Sequence, residues 1–469
     1  MKTDQSVYIQ TEATVNPWVS LAVILLAPLI TVIDVFIVNI STPAIKAYFH
    51  SSDAALELVI AAYLLGYAVF LITGSRAGDY LGKKKVFIAG LAAFTVTSAM
   101  CGFAASMEML IVSRLLQGVA AAFTVPQTIT LIQLNFQSPA DRDKAYGLYG
   151  MALGVGATIG QFLGGYFIMS HLITDSWRLI FLVNLPVGII AIILAYYFVQ
   201  ESAQNKATHF DIPGIILLTL ALSLLIYPII QGTELGWPSW TILMLITALL
   251  LLLVFVWYQH RLGQRMRDPL MPLELFRIPA FNAGIISVLF FFGVNTGYIF
   301  IASIYFQNGF HMSPFTTGNY FLLFTLSFLL ASLWSIQRAA RYGIRLLQAA
   351  CVLMIFSFIL QLILFRGDVL SPYAIIPCLF IYGSGSGLLM PSLLKVAMRD
   401  MPAPKAGAAS GVYSTIQQFA SALGVSILGG VFLYLARTTG NFYLGYKVAL
   451  FCMMGYLLAV MIILNRIRR

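Results

Sequence analysis

Three ionisable side chains stand inside otherwise apolar stretches of this chain: Asp34, Glu57 and Arg114. Within a long apolar run such a group needs an opposite charge, a carbonyl or a wet cavity, because an unpaired buried charge costs several kcal/mol. A carboxylate in that setting can take up and release a proton, since desolvation favours its neutral form and a neighbouring cation its ionised form. A guanidinium keeps its proton, so Arg114 can set the proton affinity of a carboxylate but cannot carry the proton itself. At 1.5 Å per residue, Asp34, Glu57 and Arg114 lie roughly 9, 5 and 8 Å from the same side of their runs. That coincidence of depth makes Asp34 the principal candidate for proton coupling, Arg114 its partner and Glu57 the next carboxylate. The plainer readings are an Asp34–Arg114 pair that never titrates and a Glu57 that is simply solvated.

The elements that must position these groups follow from composition. Of 469 residues, 60% are hydrophobic and only 9% charged, with a mean hydropathy of +0.90; soluble domains carry about a quarter charged residues. An integral membrane protein built of spanning helices is implied, because backbone exposed to lipid must satisfy its own hydrogen bonds. A soluble enzyme, a nucleic-acid binder and a secreted disulfide scaffold are excluded. Fourteen apolar runs are predicted to span, at about 18–40, 54–74, 86–105, 109–133, 146–168, 179–199, 212–231, 240–258, 281–306, 315–337, 346–365, 373–394, 406–434 and 448–465. The first is too long for a signal-peptide core and is expected to remain as span 1.

The net charge of +10 is accounted for by this layout. Twenty-one of the 27 Lys and Arg fall on the side of the two chain ends, five on the other, and Arg114 within a span. Both termini are therefore expected in the cytoplasm. Cys101, Cys351, Cys378 and Cys452 lie in or beside apolar runs without metal-ligand spacing, and none of the five histidines has a convincing partner. No metal site, disulfide or nucleotide motif is expected.

The connection at 259–280 carries Pro269, Pro272, Pro279 and four arginines and reads as a cytoplasmic linker. A weak repeat, Tyr80-Leu81-Gly82-Lys83 after span 2 and Tyr342-Gly343-Ile344-Arg345 after span 10, aligns spans 1–6 with spans 9–14. The chain then divides into a six-helix half (1–200), two inserted helices (201–258), the linker (259–280) and a second six-helix half (281–469). Two such halves are transporter architecture.

Three strings stand out. Gly74-Ser75-Arg76-Ala77-Gly78-Asp79-Tyr80-Leu81-Gly82-Lys83-Lys84 sets an acid, a glycine turn and a basic cluster where two helix ends can be bridged, with Asp79 suited to a helix N-terminus. Lysine anchoring at the membrane surface explains the basic cluster but not Asp79 or the glycines. Arg114-Leu115-Leu116-Gln117-Gly118 opens a polar stripe continued by Thr124 and Thr128 on one side of span 4. Span 5 carries Gly147, Gly156, Gly160, Gly164 and Gly165, a spacing that permits close helix contact.

These strings resemble motifs A, B and C of the major facilitator superfamily, in the form found in its fourteen-helix drug:proton antiporters. Gln161 stands where motif C usually has proline, so the expected kink is not encoded. Ile33-Asp34-Val35 through Asn39 and Pro43 resembles the acidic motif on the first helix of that branch. Trp177-Arg178 with Phe181, Asn184, Pro186 and Gly188 resembles its entry to span 6, and Phe210-Asp211-Ile212-Pro213-Gly214 its entry to span 7.

The resemblance implies an all-α major facilitator fold of fourteen helices as 6 + 2 + 6. It also implies alternating access, with Gly74, Asp79, Gly82, Lys83 and Lys84 as a conformational latch and the span 5 glycines with Gln161 as antiporter-motif packing. Spans facing a central cavity would offer Tyr63, Gln117, Met151, Asn295, Tyr298 and Gln417 to a substrate. The expected function is proton-coupled efflux of hydrophobic drugs, cationic ones included. A dedicated exporter of one metabolite, lipid or sugar is the alternative, and a membrane-embedded enzyme a remote one. The expectation is no catalytic residue and no cofactor, the proton-motive force driving transport. Partners are the small-molecule substrate, protons and the bilayer, with no nucleic acid and an unassigned periplasmic adaptor. A monomer, multi-pass in the cytoplasmic (inner) membrane, is expected.

Overall fold

The computed structural model describes residues 16–51, 53–170, 175–201, 211–264, 269–366, 371–402 and 405–467. Among these residues there are helices and no strands. Fourteen helical segments are long and apolar enough to cross a bilayer: Pro17–Val38, Leu58–Leu81, Lys83–Gly102, Met107–Asn135, Pro139–Ile168, Ser176–Phe198, Ile212–Ile229, Ser239–Gln264, Pro279–Gly309, Phe315–Ile336, Ile344–Leu364, Tyr373–Met398, Ala406–Thr439 and Phe442–Asn465, spans 1 to 14 in order. Their starts carry local signals. Asn16, Ser106, Asp211 and Ser371 accept hydrogen bonds from the free backbone N–H groups of the turn that follows.

The helices outrun the apolar runs. Span 2 was expected to end near residue 74, with the latch string in a loop; instead the helix is Asp53–Leu81, and the connection to span 3 is Gly82 alone, at φ 99°. Apolar composition marks where lipid ends, whereas helix continues as long as its side chains support it. Here Arg76, one turn before Asp79 on the same helix, pairs with it at 3.3 Å, and Lys83, the first residue of span 3, closes on it across the turn at 2.8 Å. The second repeat does the same: Pro314–Tyr342 runs into Ile344–Leu364 through Gly343, at φ 53°. Only glycine turns a chain so sharply in the left-handed region without a Cβ penalty.

The packing is repeated as well. Span 2 lies along span 4, span 1 along span 5 and span 3 between spans 4 and 6; correspondingly span 10 lies along span 12, span 9 along span 13 and span 11 between spans 12 and 14. Spans 7 and 8 pair with each other and touch the rest through spans 2 and 13. Asp211 ties their bases together, accepting from Gly214 N, Tyr258 Oη and Gln259 Nε2 at 2.9, 2.9 and 2.7 Å.

Contacts between the halves run from span 5 to spans 10 and 12 and from span 13 to spans 2 and 4. They crowd toward the face where the first span begins, here termed the basic face. Thr130 meets Ser410 at 3.2 Å, Gln133 donates to the Met401 carbonyl at 3.2 Å, Ser75 donates to the Gly407 carbonyl, and Lys395 pairs with Asp143. Away from that face each helix returns to its own half. Gly156 and Gly160 of span 5 rest on the span 1 backbone at Leu29 and Ile33, and Gly424 of span 13 on Gly293 of span 9.

Candidate functional site

Asp34 and Arg114 are 0% and 1% exposed and form a salt bridge inside the first half. The pair is brought together by spans 1, 2, 4 and 6. Span 4 can approach span 2 closely because Gly118 presses on the Tyr63 carbonyl, where a Cβ would come within 2.1 Å. That approach sets the Arg114 guanidinium 4.3 Å over the Tyr63 ring and lets Nε donate to the Val59 carbonyl at 3.3 Å. Arg114 Nη1 donates to Asp34 Oδ2 and to Gln117 Oε1, the latter at 2.8 Å. Asp34 Oδ1 accepts from Gln117 Nε2 and Asn184 Nδ2, both at 2.9 Å. Asn184 in turn donates to Ser98, which donates to the Phe181 carbonyl.

The carboxylate thus accepts three hydrogen bonds, one of them from a cation, with every donor buried. Neutralising Asp34 would remove the charge that binds Arg114. Asn184 and Ser98 were not among the expected site residues. Asn184 appeared only in the string at the entry to span 6, and its signal was a lone amide in an apolar run. Span 6 is pinned there by Arg178, which donates to the Gly102 and Ala104 carbonyls at the end of span 3, at 2.8 and 3.0 Å.

The other expected residues are distributed as follows. Glu57 lies on the span 2 helix, but its side chain is outside the described residues, so its depth beside Asp34 stays an expectation. Tyr63 and Gln117 belong to the Asp34–Arg114 cluster. Asn295 lies in the second half, accepting from Ser386 at 3.0 Å and from Tyr382 at 3.4 Å. Tyr298 is fully buried inside that half, donating to Gln361 at 3.1 Å and packed on Tyr382 with ring centroids 4.1 Å apart. Met151 and Gln417, on spans 5 and 13, are half-buried.

Asp79 reaches across to the other half. Its carboxylate lies against Gly407 in the first turn of span 13, where a Cβ would stand 2.5 Å from Oδ1. An acid there faces the positive end of a helix, while Lys83 and Arg76 hold it from its own side. Arg76 also donates to the Pro269 carbonyl of the linker, and Lys405 pairs with Glu274. The Lys405 ammonium, donating a hydrogen bond, holds the Glu274 carboxyl below the usual range. Gly74 lies on the Ala122 carbonyl of span 4, and Lys84 donates to the Tyr196 carbonyl at 2.7 Å. In span 5, Gly147 faces Ile336 and Gly150 faces Pro391 across the halves, whereas Gly165 meets nothing within 4 Å. Close packing therefore does not extend along the whole glycine series, and the helix runs unbroken through buried Gln161.

The chain matches the family description "Major Facilitator Superfamily" over residues 24–211 and 212–425. It is 31% identical over 426 residues to a "Probable actinorhodin transporter" of Streptomyces coelicolor, covering 89% of this chain and 73% of the relative. It is 32% identical over 402 residues to "Multidrug resistance protein Stp" of Mycobacterium tuberculosis, covering 85% and 73%. Its fold is similar to that of the human organic anion transporter MFSD10 (TETRAN), with a TM-score of 0.69 at 16% identity over 96% of this chain and 99% of that one.

Proposed function

This chain belongs to the major facilitator superfamily, and from that premise we propose that it is a proton-coupled antiporter that exports hydrophobic drugs across the cytoplasmic membrane by alternating access. Relatives named for antibiotic transport and multidrug resistance support efflux as the task. The observation that carries the coupling is the buried Asp34–Arg114 pair, the most enclosed salt bridge among the described residues. Buried charge is costly to keep, and replacing a buried pair by apolar side chains often leaves stability unchanged or improved. A pair retained at such a place fits a switch better than a strut.

With the basic face taken as cytoplasmic, the contacts at that face close the inner side. In this state Arg114 is locked on Asp34. A proton arriving from outside neutralises Asp34 and frees Arg114 from its partner. That change loosens spans 1, 4 and 6 against one another, so the halves can rock and open inward. Substrate binding inside, with return of the proton to the cytoplasm, restores the pair. The Asp79 contact with span 13 must break in the same movement. The proton gradient and membrane potential supply the drive, about 2.3 kcal/mol per charge per 100 mV.

The test is substrate-driven proton movement in everted vesicles holding the purified, reconstituted protein. Addition of an exported aromatic antibiotic should dissipate a preformed proton gradient, and collapsing the gradient with an uncoupler should stop accumulation. Accumulation that persists without any proton or potential gradient would sink the reading.

A further inference from the structure

Spans 7 and 8 stand outside the two repeats, yet their bases are built around a buried carboxylate. Asp211 is 8% exposed; it caps span 7 through Gly214 N and accepts from Tyr258 and Gln259 of span 8. These three donors are neutral, and the positive end of span 7 favours the charge beside it, so Asp211 acts as a fixed anchor. Gln259 is 1% exposed and uses both ends of its amide. Its Nε2 donates to Asp211, which turns Oε1 to the linker, where it accepts from Met271 N at 3.1 Å. Reversing the amide would set oxygen against carboxylate and NH2 against N–H, so the group has one orientation.

The linker held in this way reaches both halves. Before Met271, the Pro269 carbonyl accepts from Arg76 of span 2; after it, Glu274 pairs with Lys405, the residue that caps span 13. Leu270 and Leu275 are buried, and Asn282 of span 9 donates to the Phe276 carbonyl at 2.6 Å, so this stretch is seated on the second half. Arg76 belongs to the first half, and its bond to Pro269 therefore crosses between them. Arg76 also pairs with Asp79, and Lys405 lies just before Gly407, so the two linker contacts bracket the place where Asp79 meets span 13. With Met271 held by Gln259, Pro269 cannot follow Arg76 when the halves part, and the bond resists opening. With Met271 released, Pro269 can travel with Arg76 and the bond resists nothing.

We infer that spans 7 and 8 act on transport through Gln259, a positioning residue that fixes residues 269–278 as a strap across the basic-face seal and so favours its closed form. This rests on the alternating-access part of the proposed function and on neither the proton coupling nor the substrate class. The inserted pair then has a task that two six-helix halves do not supply. It gives the linker a fixed point outside both halves, from which the strap can hold Arg76 while Glu274 holds the base of span 13.

The test reads opening of the seal without substrate or gradient. Ser410, buried at the seal against Thr130, is changed to cysteine (Ser410→Cys), and the exposed Cys452 is removed (Cys452→Ser). An impermeant maleimide added to uncoupled everted vesicles meets the basic face, and labelling of the full-length chain is read after purification, against a Cys452→Ser chain that keeps Ser410. Gln259→Leu is expected to speed labelling about fivefold, the worth of one or two hydrogen bonds. Tyr258→Phe takes a donor from the same Asp211 but leaves Gln259 on Met271, and should label at the parent rate. Both variants should melt within a few degrees of the parent. If Gln259→Leu does not fold, Arg76→Lys serves instead, since it keeps a cation beside Asp79 but has no second arm for Pro269, and it should speed labelling to a similar degree. Unchanged labelling in the folded variant overturns the inference. Equal acceleration by Tyr258→Phe does so as well, because the base of spans 7 and 8 would then matter only as packing. Transport in vesicles separates this result from the efflux reading. A parent that exports no antibiotic yet shows the Gln259→Leu acceleration defeats efflux and keeps the strap, whereas export without any acceleration does the reverse.

Discussion

The two halves put different chemistry at the same place. Asn295 stands at nearly the same depth along span 9, counted from Pro279, as Asp34 does along span 1, counted from Pro17. Tyr382 stands as far from Pro372 on span 12 as Gln117 does from Met107 on span 4. In the first half this place holds a carboxylate with three donors, one guanidinium and two amides. In the second it holds an amide oxygen with two hydroxyls, beside a second neutral set in which Tyr298 and Tyr446 both donate to Gln361. Both are hydrogen-bonded and both are buried, so satisfaction of polar groups does not require charge here. What the charged version adds is an ionisable pair, which under the proposed function puts the coupling in one half and a static framework in the other.

The comparison breaks most visibly if the first half is made like the second. Asp34→Asn should abolish uphill export and substrate-driven proton release, to background in the vesicle assay, while downhill substrate exchange persists. Proton-gradient-dependent accumulation by this variant would make the pair structural and pass the role to Glu57. In Asp34→Asn with Arg114→Leu, melting temperature should recover toward the parent without any recovery of transport, because no buried charge is left unpaired.

Arg114→Ala alone leaves Asp34 without its cation in a closed site, and loss of one partner of a buried pair costs about 3–5 kcal/mol. Denaturation in mild detergent should show a loss of that order. A loss no larger than that of a surface substitution would mean that water reaches the site.

In the second half, Tyr382→Phe removes one donor from Asn295, and Tyr446→Phe one of two from Gln361. Each is expected to cost about 1 kcal/mol, the usual net worth of such a bond, with the proton-to-substrate ratio unchanged. A changed ratio would place a titrating step in the neutral half.

Asp79→Asn touches neither network. It weakens the contact with span 13 at the seal between the halves, so export should fall severalfold while affinity for an exported aromatic antibiotic in detergent stays near the parent value. Equal loss of both would bring Asp79 into the binding site. The smallest effect belongs to Glu274. Its folded-state carboxyl titrates below the ordinary range, so the Lys405 contact adds to closure above the ordinary carboxylate pKa and fades as pH falls through the lowered one. At neutral pH a cysteine-accessibility probe of closure should therefore be flat with pH, and Glu274→Gln should shift it slightly at every pH above that window.

Much of this molecule was legible from residue types in order. Apolar runs of bilayer length fix the number of spans, because unpaired backbone cannot face lipid. Asp34 and Arg114 announced themselves by being charged where charge is expensive, and Gly82 and Gly343 marked two equivalent sharp turns. Their local physics is strong enough to be read without neighbours. Helix ends were misjudged at span 2, where the helix carries Arg76 and Asp79 beyond the apolar stretch to Leu81. Only the tertiary structure decided what each polar side chain meets. It made Asn184 and Ser98 the companions of Asp34, and it drew Tyr298 toward Gln361 inside its own half. It also carried Asp79 to the first turn of span 13. Those outcomes depend on which helix face a partner presents, and that is set by packing between segments tens to hundreds of residues apart, which hydropathy and spacing along one chain do not encode.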